Sequence, residues 1–502
     1  MKKWFVFLNV LVASILGFFG SAGSIISDDL IRGALHLSSS QVVWNSTLFL
    51  LGVNTIVPFA NQLADRFGSK LIYQSGILLG GLGSLLTACA TNFSILASGR
   101  WIEGAGTGFT FTIGLAYISR TFPKNQLSLA LNMYLGLAFG VGLGFGIPLA
   151  GYFAQFLSWR TFYLAIVFIE LLIVITAWFW FDSVPSKKII LDWGGFFFFA
   201  LFFSLFLIAL MTGQLIDTNE GWRSLSIRSY FFFSFISLCI FFWIEQRHPN
   251  PIVPLELFQN AVFILCCISL FLLGMSFFSS LTVASDYLIN SLRTEKYVTG
   301  KICSIYGICM VVGSLLSSVL SKKIPIPILT LLGLTGVTIS YHWNNIISLQ
   351  TGWNQLMPIL AARGFSLGIA LGPTNVQAMQ EIRSELISHA ATLLTFFRQV
   401  GSTFSGAVIT ILTLRRQIFH STRWGEQMSE QLPGYQYTYQ KLRSIATPEQ
   451  AKMIIIDNIE NQAMIQAQND AFYLFGIVTM VVGILLIVLN LRRWWTSRLK
   501  TG

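Results

Sequence analysis

About fourteen apolar runs of membrane-spanning length constrain this chain more than any other feature of it. They fall at roughly 4–26, 41–62, 71–91, 93–119, 127–153, 160–181, 191–214, 228–245, 261–285, 298–320, 325–343, 353–377, 388–413 and 470–491. A helix needs ~20 apolar residues to cross a bilayer, so the pattern predicts an all-α, polytopic membrane protein. Two runs are weaker: the eighth is short, and Pro325 and Pro327 open the eleventh. Charged residues make up only 11% of the 502 residues, against about 25% in soluble domains. Lys2 and Lys3 precede an apolar run longer than the ~7–15 residues of a signal core, so an uncleaved first span is expected.

An even number of spans puts both termini on one side. Sixteen Lys and Arg residues fall on that side, among them Lys3, Arg66, Arg120, Lys187, Lys188 and Lys322, and seven fall on the other, among them Arg32, Arg223 and Lys296. Cytoplasmic loops carry the positive excess. Both termini are therefore expected in the cytoplasm of a cell with this chain in its inner (plasma) membrane. The same rule accounts for the net charge of +11 without a nucleic-acid partner. The six cysteines lie in apolar segments without metal-ligand spacing and read as packing residues. No metal site, cofactor or nucleophile–base constellation emerges, so an enzyme is not expected.

Residues 415–470 form the one long hydrophilic stretch, outside the cytoplasm on this topology. Thr447-Pro448-Glu449 reads as an N-cap and an acidic first turn, with a helix running to about Gln468. Ile455, Ile456, Ile459, Ala463 and Ala467 give it an apolar stripe. The stripe either packs on its own loop or offers a partner a docking surface.

Arg100 and Glu103 stand inside the fourth run, three residues apart and so on one side of a helix. An arginine at mid-bilayer costs about 2.5–3.5 kcal/mol on insertion scales, and a carboxylate on the same face offsets part of that. Residues of these types imply a polar interior or a water-lined path.

Between runs two and three, Asp65, Arg66, Gly68 and Lys70 make an acidic–basic turn in which Gly68 permits a tight reversal. Together with Arg100 this pair resembles the loop motif and the fourth-helix motif of the major facilitator superfamily. In run five Gly136, Gly140 and Gly144 recur every four residues, as do Gly142 and Gly146. Small residues at that spacing let helices approach, and packing alone accounts for any one pair. Followed by Pro148 and Gly151, the series resembles the antiporter motif of that superfamily. Ile147 and Tyr152 depart from it. Fourteen spans, with Trp44, Asn54 and Pro58 in run two and Arg398-Gln399-Val400-Gly401-Ser402 in run thirteen, resemble the 14-helix drug:proton antiporter family. The polar segment ending at Asp470 is similar to that of EmrB-type multidrug exporters.

The resemblance implies a major facilitator fold: a six-helix bundle in 1–182, two inserted helices in 183–258, and a second bundle in 259–502 that includes an extracytoplasmic segment, 415–469. It implies export of a small organic compound, a drug, toxicant or metabolite such as a siderophore, against protons by alternating access. A periplasmic adaptor and an outer-membrane channel are the implied partners. Asp65 and Arg66 would form a cytoplasmic latch. Glu103 would be the protonation switch with Arg100 its partner; a static ion pair is the alternative. Glu170, about ten residues into run six, is a second proton candidate or a structural hydrogen-bonding group. Trp44, Asn54, Asp286, Arg363, Arg398 and Gln399 would line the substrate cavity. Asp286 is equally a rim residue, and Arg363 and Arg398 either draw an anionic substrate or are tied to helix-end carbonyls. The family's Asp in run one is missing from Gly17 to Ser24, and Asp28 and Asp29 come later, at the outer end. That departure allows uncoupled uptake or facilitated diffusion, and the polar segment allows a sensor or scaffold that no longer transports. Phe196–Phe199 and Phe231–Phe233 are expected to face lipid.

Overall fold

The computed structural model describes residues 2–182, 189–213, 224–380, 382–383, 386–427 and 433–501. Lys187, Lys188 and Arg223 of the charge argument lie outside these. The described residues form helices and no strand: α1 (Lys2–Leu35), α2 (Ser39–Phe67), α3 (Ser69–Ala88), α4 (Phe93–Thr121), α5 (Lys124–Phe156), α6 (Trp159–Trp180), α7 (Trp193–Thr212), α8 (Leu225–Glu245), α9 (Ala261–Asp286), α10 (Lys296–Leu320), α11 (Ile326–Trp343), α12 (Trp353–Gln380), α13 (Ile387–Gln427), α14 (Pro433–Arg443) and α15 (Pro448–Thr501). Every expected run has its helix. Twelve of them are long and apolar enough to cross a membrane. The other two of that length, α4 and α13, are the helices that carry Arg100, Glu103 and Arg398. Protein surrounds much of α4, with Arg100 and Glu103 both buried, so it meets little lipid and needs less hydropathy.

The polar segment differs from expectation. The helix that begins at Pro448, capped by reciprocal bonds between Thr447 and Gln450, does not stop near Gln468 but continues unbroken to Thr501. Likewise α13 runs on to Gln427. The polar residues that looked like a helix end are fastenings: Asn469 bonds Asn344 and the Ile347 carbonyl, while Asp470 accepts from Arg416 at 2.6 Å and meets His420 at 2.8 Å. No proline or glycine falls between Pro448 and Gly476 to break the helix. Of the expected stripe, Ile455, Ala463 and Ala467 are buried, whereas Ile456 is exposed.

Backbone approach at glycines fixes the helix pairs. A methyl group added at Gly104 would lie 1.9 Å from the Phe49 carbonyl oxygen, and at Gly108 2.9 Å from that of Val53. In the second half of the chain, a methyl at Gly364 would lie 2.1 Å from Tyr306 O and at Gly368 2.2 Å from Met310 O. Thus α4 packs on α2 as α12 packs on α10, with the same four-residue spacing on both partners. Backbone cannot yield as a side chain can, so Gly104→Ala should cost about 1–3 kcal/mol from overpacking, read as a lower midpoint of thermal unfolding.

The two glycine series of α5 serve different neighbours. Gly140, Gly144 and Gly151 face α10, and Gly142 and Gly146 face Phe18, Phe19 and Ala22 of α1. Between them, α5 and α10 form the most extensive helix pair among the described residues. Helix α7 packs along the seam of α2 and α13: Phe196 stacks on Phe59, and Phe199 and Phe203 pack against Phe396. Phe196 and Phe199 therefore face protein, contrary to expectation, because this inserted helix covers a seam. Phe197, Phe232 and Phe233 point outward.

Candidate functional site

The polar interior assembles around α4. Arg100 is fully buried and donates to Glu103 Oε2 at 2.6 Å, Ser24 Oγ at 2.6 Å, Asn45 O at 3.2 Å and Gly20 O at 3.4 Å. Its guanidinium also lies over Phe49 and Tyr163. Gly20 makes room for the ion pair, since a methyl there would lie 1.9 Å from Glu103 Oε1. Asn45 extends the network: its carbonyl accepts from Arg100, and its side-chain amide donates to Asp28 Oδ1 at 2.7 Å. A hydrogen-bonded chain thus runs Glu103–Arg100–Asn45–Asp28.

Asp28 lines a cavity of about 250 Å³ with Ser21, Thr47, Met211, Phe278 and Thr403. These residues come from α1, α2, α7, α9 and α13. Sequence reasoning had put Asp28 at a helix end. It missed that α1 continues to Leu35, which places Asp28 on the face that already holds Gly20 and Ser24. Their spacing of four residues was the available signal.

The other expected residues distribute as follows. Asn54 is buried at the α2–α13 contact and donates to Thr403 Oγ1 at 2.7 Å and Leu50 O at 2.8 Å. Trp44 is half-buried near the start of α2, and Gln399 is buried on α13. Arg398 is buried against Phe111 and Phe139. Arg363 sits apart, donating to Ser280, Asn344 and both oxygens of Ser340, with Tyr341 and Phe472 over its guanidinium. Asp286 accepts from Asn290 at 2.5 Å and Gln468 at 3.4 Å, at the junction of α9 and α15. Glu170 is buried against Gly80 and Gly81 of α3.

Asp65, Arg66, Gly68 and Lys70 occupy the end of the molecule that carries the α2–α3 turn. Gly68 has φ of 97°, in the region that favours glycine. Asp65 approaches Arg120 Nη2 at 3.6 Å, Lys70 donates to the Trp178 carbonyl at 2.8 Å, and Arg66 is exposed. A second recess, of about 440 Å³, opens there, lined by Asn61, Asp65, Pro251, His389 and Thr392. The two recesses lie on opposite sides of the Asn54–Thr403 contact, along the same α2–α13 seam.

A helical scaffold with buried charge and recesses at both ends of one seam suits a carrier. The family model described as Major Facilitator Superfamily matches residues 6–406. The chain belongs to the major facilitator superfamily. Relatives within it include an uncharacterized MFS-type transporter, YhcA, of Bacillus subtilis, 22% identical over 90% of this chain and 86% of the relative. The multidrug transporter protein MdtP of Bacillus subtilis is 23% identical over 73% of this chain and 67% of its own. The multidrug resistance protein Stp of Mycobacterium tuberculosis is 24% identical over 76% and 70%. The protein is a multi-pass membrane transporter of this superfamily, a transporter family rather than an enzyme family.

Within that superfamily member, removing one side of the buried pair exposes its structural role. Arg100→Met should destabilise the protein by about 3–5 kcal/mol, because it strands Glu103 in a dry interior. Thermal unfolding in detergent checks this. A midpoint equal to wild type would mean that the pair is solvated.

Proposed function

We propose that this transporter is a proton-coupled antiporter that exports small organic compounds by alternating access. The observation that carries the reading is the hydrogen-bonded chain from Glu103 through Arg100 and Asn45 to Asp28, which ends at the cavity. A carboxylate at the cavity wall meets protons and substrate alike. Burial and an adjacent guanidinium make opposite demands on a carboxylate's proton, so a small movement of α1 against α4 tips the balance. Glu103 and Asp28 together are the proton-carrying groups. The multidrug names of MdtP and Stp support organic compounds as substrates.

On this reading α1–α6 and α9–α13 with α15 are the two bodies that rock about the Asn54–Thr403 contact, with α7 and α8 between them in sequence. Asp65 and Arg120 latch the end that carries the positive loops, and the charge asymmetry supports a cytoplasmic position for that end. The long polar extensions of α13 and α15, with Tyr437, Ile445, Met453 and Ile456 exposed, would then stand in the periplasm and suit an adaptor protein.

The test is transport by purified protein in proteoliposomes, with ethidium as the first probe. An imposed pH gradient should drive ethidium movement, and a protonophore should abolish it. Ethidium movement at the same rate with and without the gradient would favour facilitated diffusion, and movement of no compound across a broad screen would favour a sensor or scaffold.

A further inference from the structure

Among the described residues three arginines are fully buried, and the protein treats one of them differently. Arg100 and Arg363 each donate four hydrogen bonds to protein acceptors. Arg398 is 2% exposed, yet neither its Nε nor either Nη has an acceptor among the described residues. No carboxylate pairs with it among the described residues. Its company is aromatic. The guanidinium carbon lies 4.6 Å from the Phe139 ring and 5.0 Å from the Phe111 ring. Phe18 and Phe277 complete the cluster, at 4.3 Å and 4.7 Å from Phe139.

Location makes this more than a packing fault. Arg398 belongs to α13 and its rings to α4 and α5, so the side chain reaches across between the two sets of helices. One turn along α13, Ser402 and Thr403 line the Asp28 cavity, and so does Phe278, next to Phe277. Rings over a guanidinium recover only part of what burying a charge costs. The fold gives each of the two other buried guanidinia acceptors for four hydrogen bonds. A guanidinium with five N–H donors left unmatched, beside the cavity, is poised for an acceptor that arrives from outside.

We propose that Arg398 receives the anionic head of one class of transported compound, organic carboxylates with a flat, apolar body, beside the cations that the same cavity carries. The planar fork of arginine matches a carboxylate bidentately. Phe18, Phe111, Phe139 and Phe277 provide faces for the body, and a small hydrated anion would lose its water without finding such contacts. An exported anion also moves down an inside-negative membrane potential. This assignment rests on the exporter reading for its direction, but not for its binding chemistry.

Binding to the purified full-length protein tests it, with 2-naphthoate as the probe and 2-naphthylmethylammonium as its cationic counterpart. Naphthoate should raise the unfolding temperature through Arg398, whereas the response to the ammonium should be the same in wild type and Arg398→Gln. Arg398→Gln should weaken naphthoate about 10–100-fold, the worth of a charge-assisted pair. Arg398→Met without ligand should unfold at or above the wild-type temperature, because it removes a stranded charge, whereas Arg363→Met should unfold lower. No shift with naphthoate, an equal shift in Arg398→Gln, or an Arg398→Met midpoint as low as that of Arg363→Met overturns the assignment. If naphthoate binds but neither it nor ethidium crosses a membrane, the exporter reading fails and the anion site stands. If ethidium crosses under a pH gradient and naphthoate does not bind, the reverse holds.

Discussion

Glu103→Gln should cut proton-driven transport at least tenfold while leaving the protein folded. Glutamine keeps an oxygen that accepts from Arg100, where wild-type Glu103 accepts at 2.6 Å. The amide also fits the space that Gly20 leaves. What it loses is a group able to take and release a proton. Stability should therefore change far less than in Arg100→Met. Coupling separates a proton switch from a static ion pair, since a static pair would keep its coupling in this variant. Undiminished gradient-driven transport in Glu103→Gln removes Glu103 from the mechanism.

Gly307→Ala should be comparably damaging by a different route. The added methyl would lie 2.3 Å from Gly140 O, 2.4 Å from Gly144 Cα and 2.5 Å from Gly144 N. All three are backbone atoms, so relief requires α5 and α10 to separate. These two helices join the two sets that the alternating-access reading moves against each other. Overpacking costs about 1–3 kcal/mol, and a like penalty confined to the conformation with this contact would shift its population about 5–150-fold. Transport should fall by a similar factor. Cross-linking between cysteines placed on α5 and α10 would report the separation. Wild-type transport in Gly307→Ala would mean that the contact is not used in the cycle.

Much of the fold was legible because lipid imposes a simple rule on sequence. Runs of apolar residues marked each long helix, and the turn at Gly68 followed from its motif. The helix ends were less legible. Gln468, Asn469 and Asp470 look like the close of a polar helix, yet their partners on α9, α13 and the 344–347 segment are remote in sequence. The same cause hid Asp28, whose meaning depends on Asn45 and on α1 continuing to Leu35. Phe196 and Phe199 read as lipid-facing because composition does not tell that α7 covers a seam. The pairing of Arg100 with Glu103 was visible, being local. The isolation of Arg398 was not, since an absent partner leaves no mark in the sequence.

The most direct test of the central claim is the proton itself. Proteoliposomes carrying a trapped pH indicator should acidify or alkalinise when an ethidium gradient is imposed, with protons moving opposite to the dye. Asp28→Asn and Glu103→Gln should each abolish that signal. Dye flux with no proton movement in the wild-type protein would contradict coupling through the Glu103–Asp28 chain.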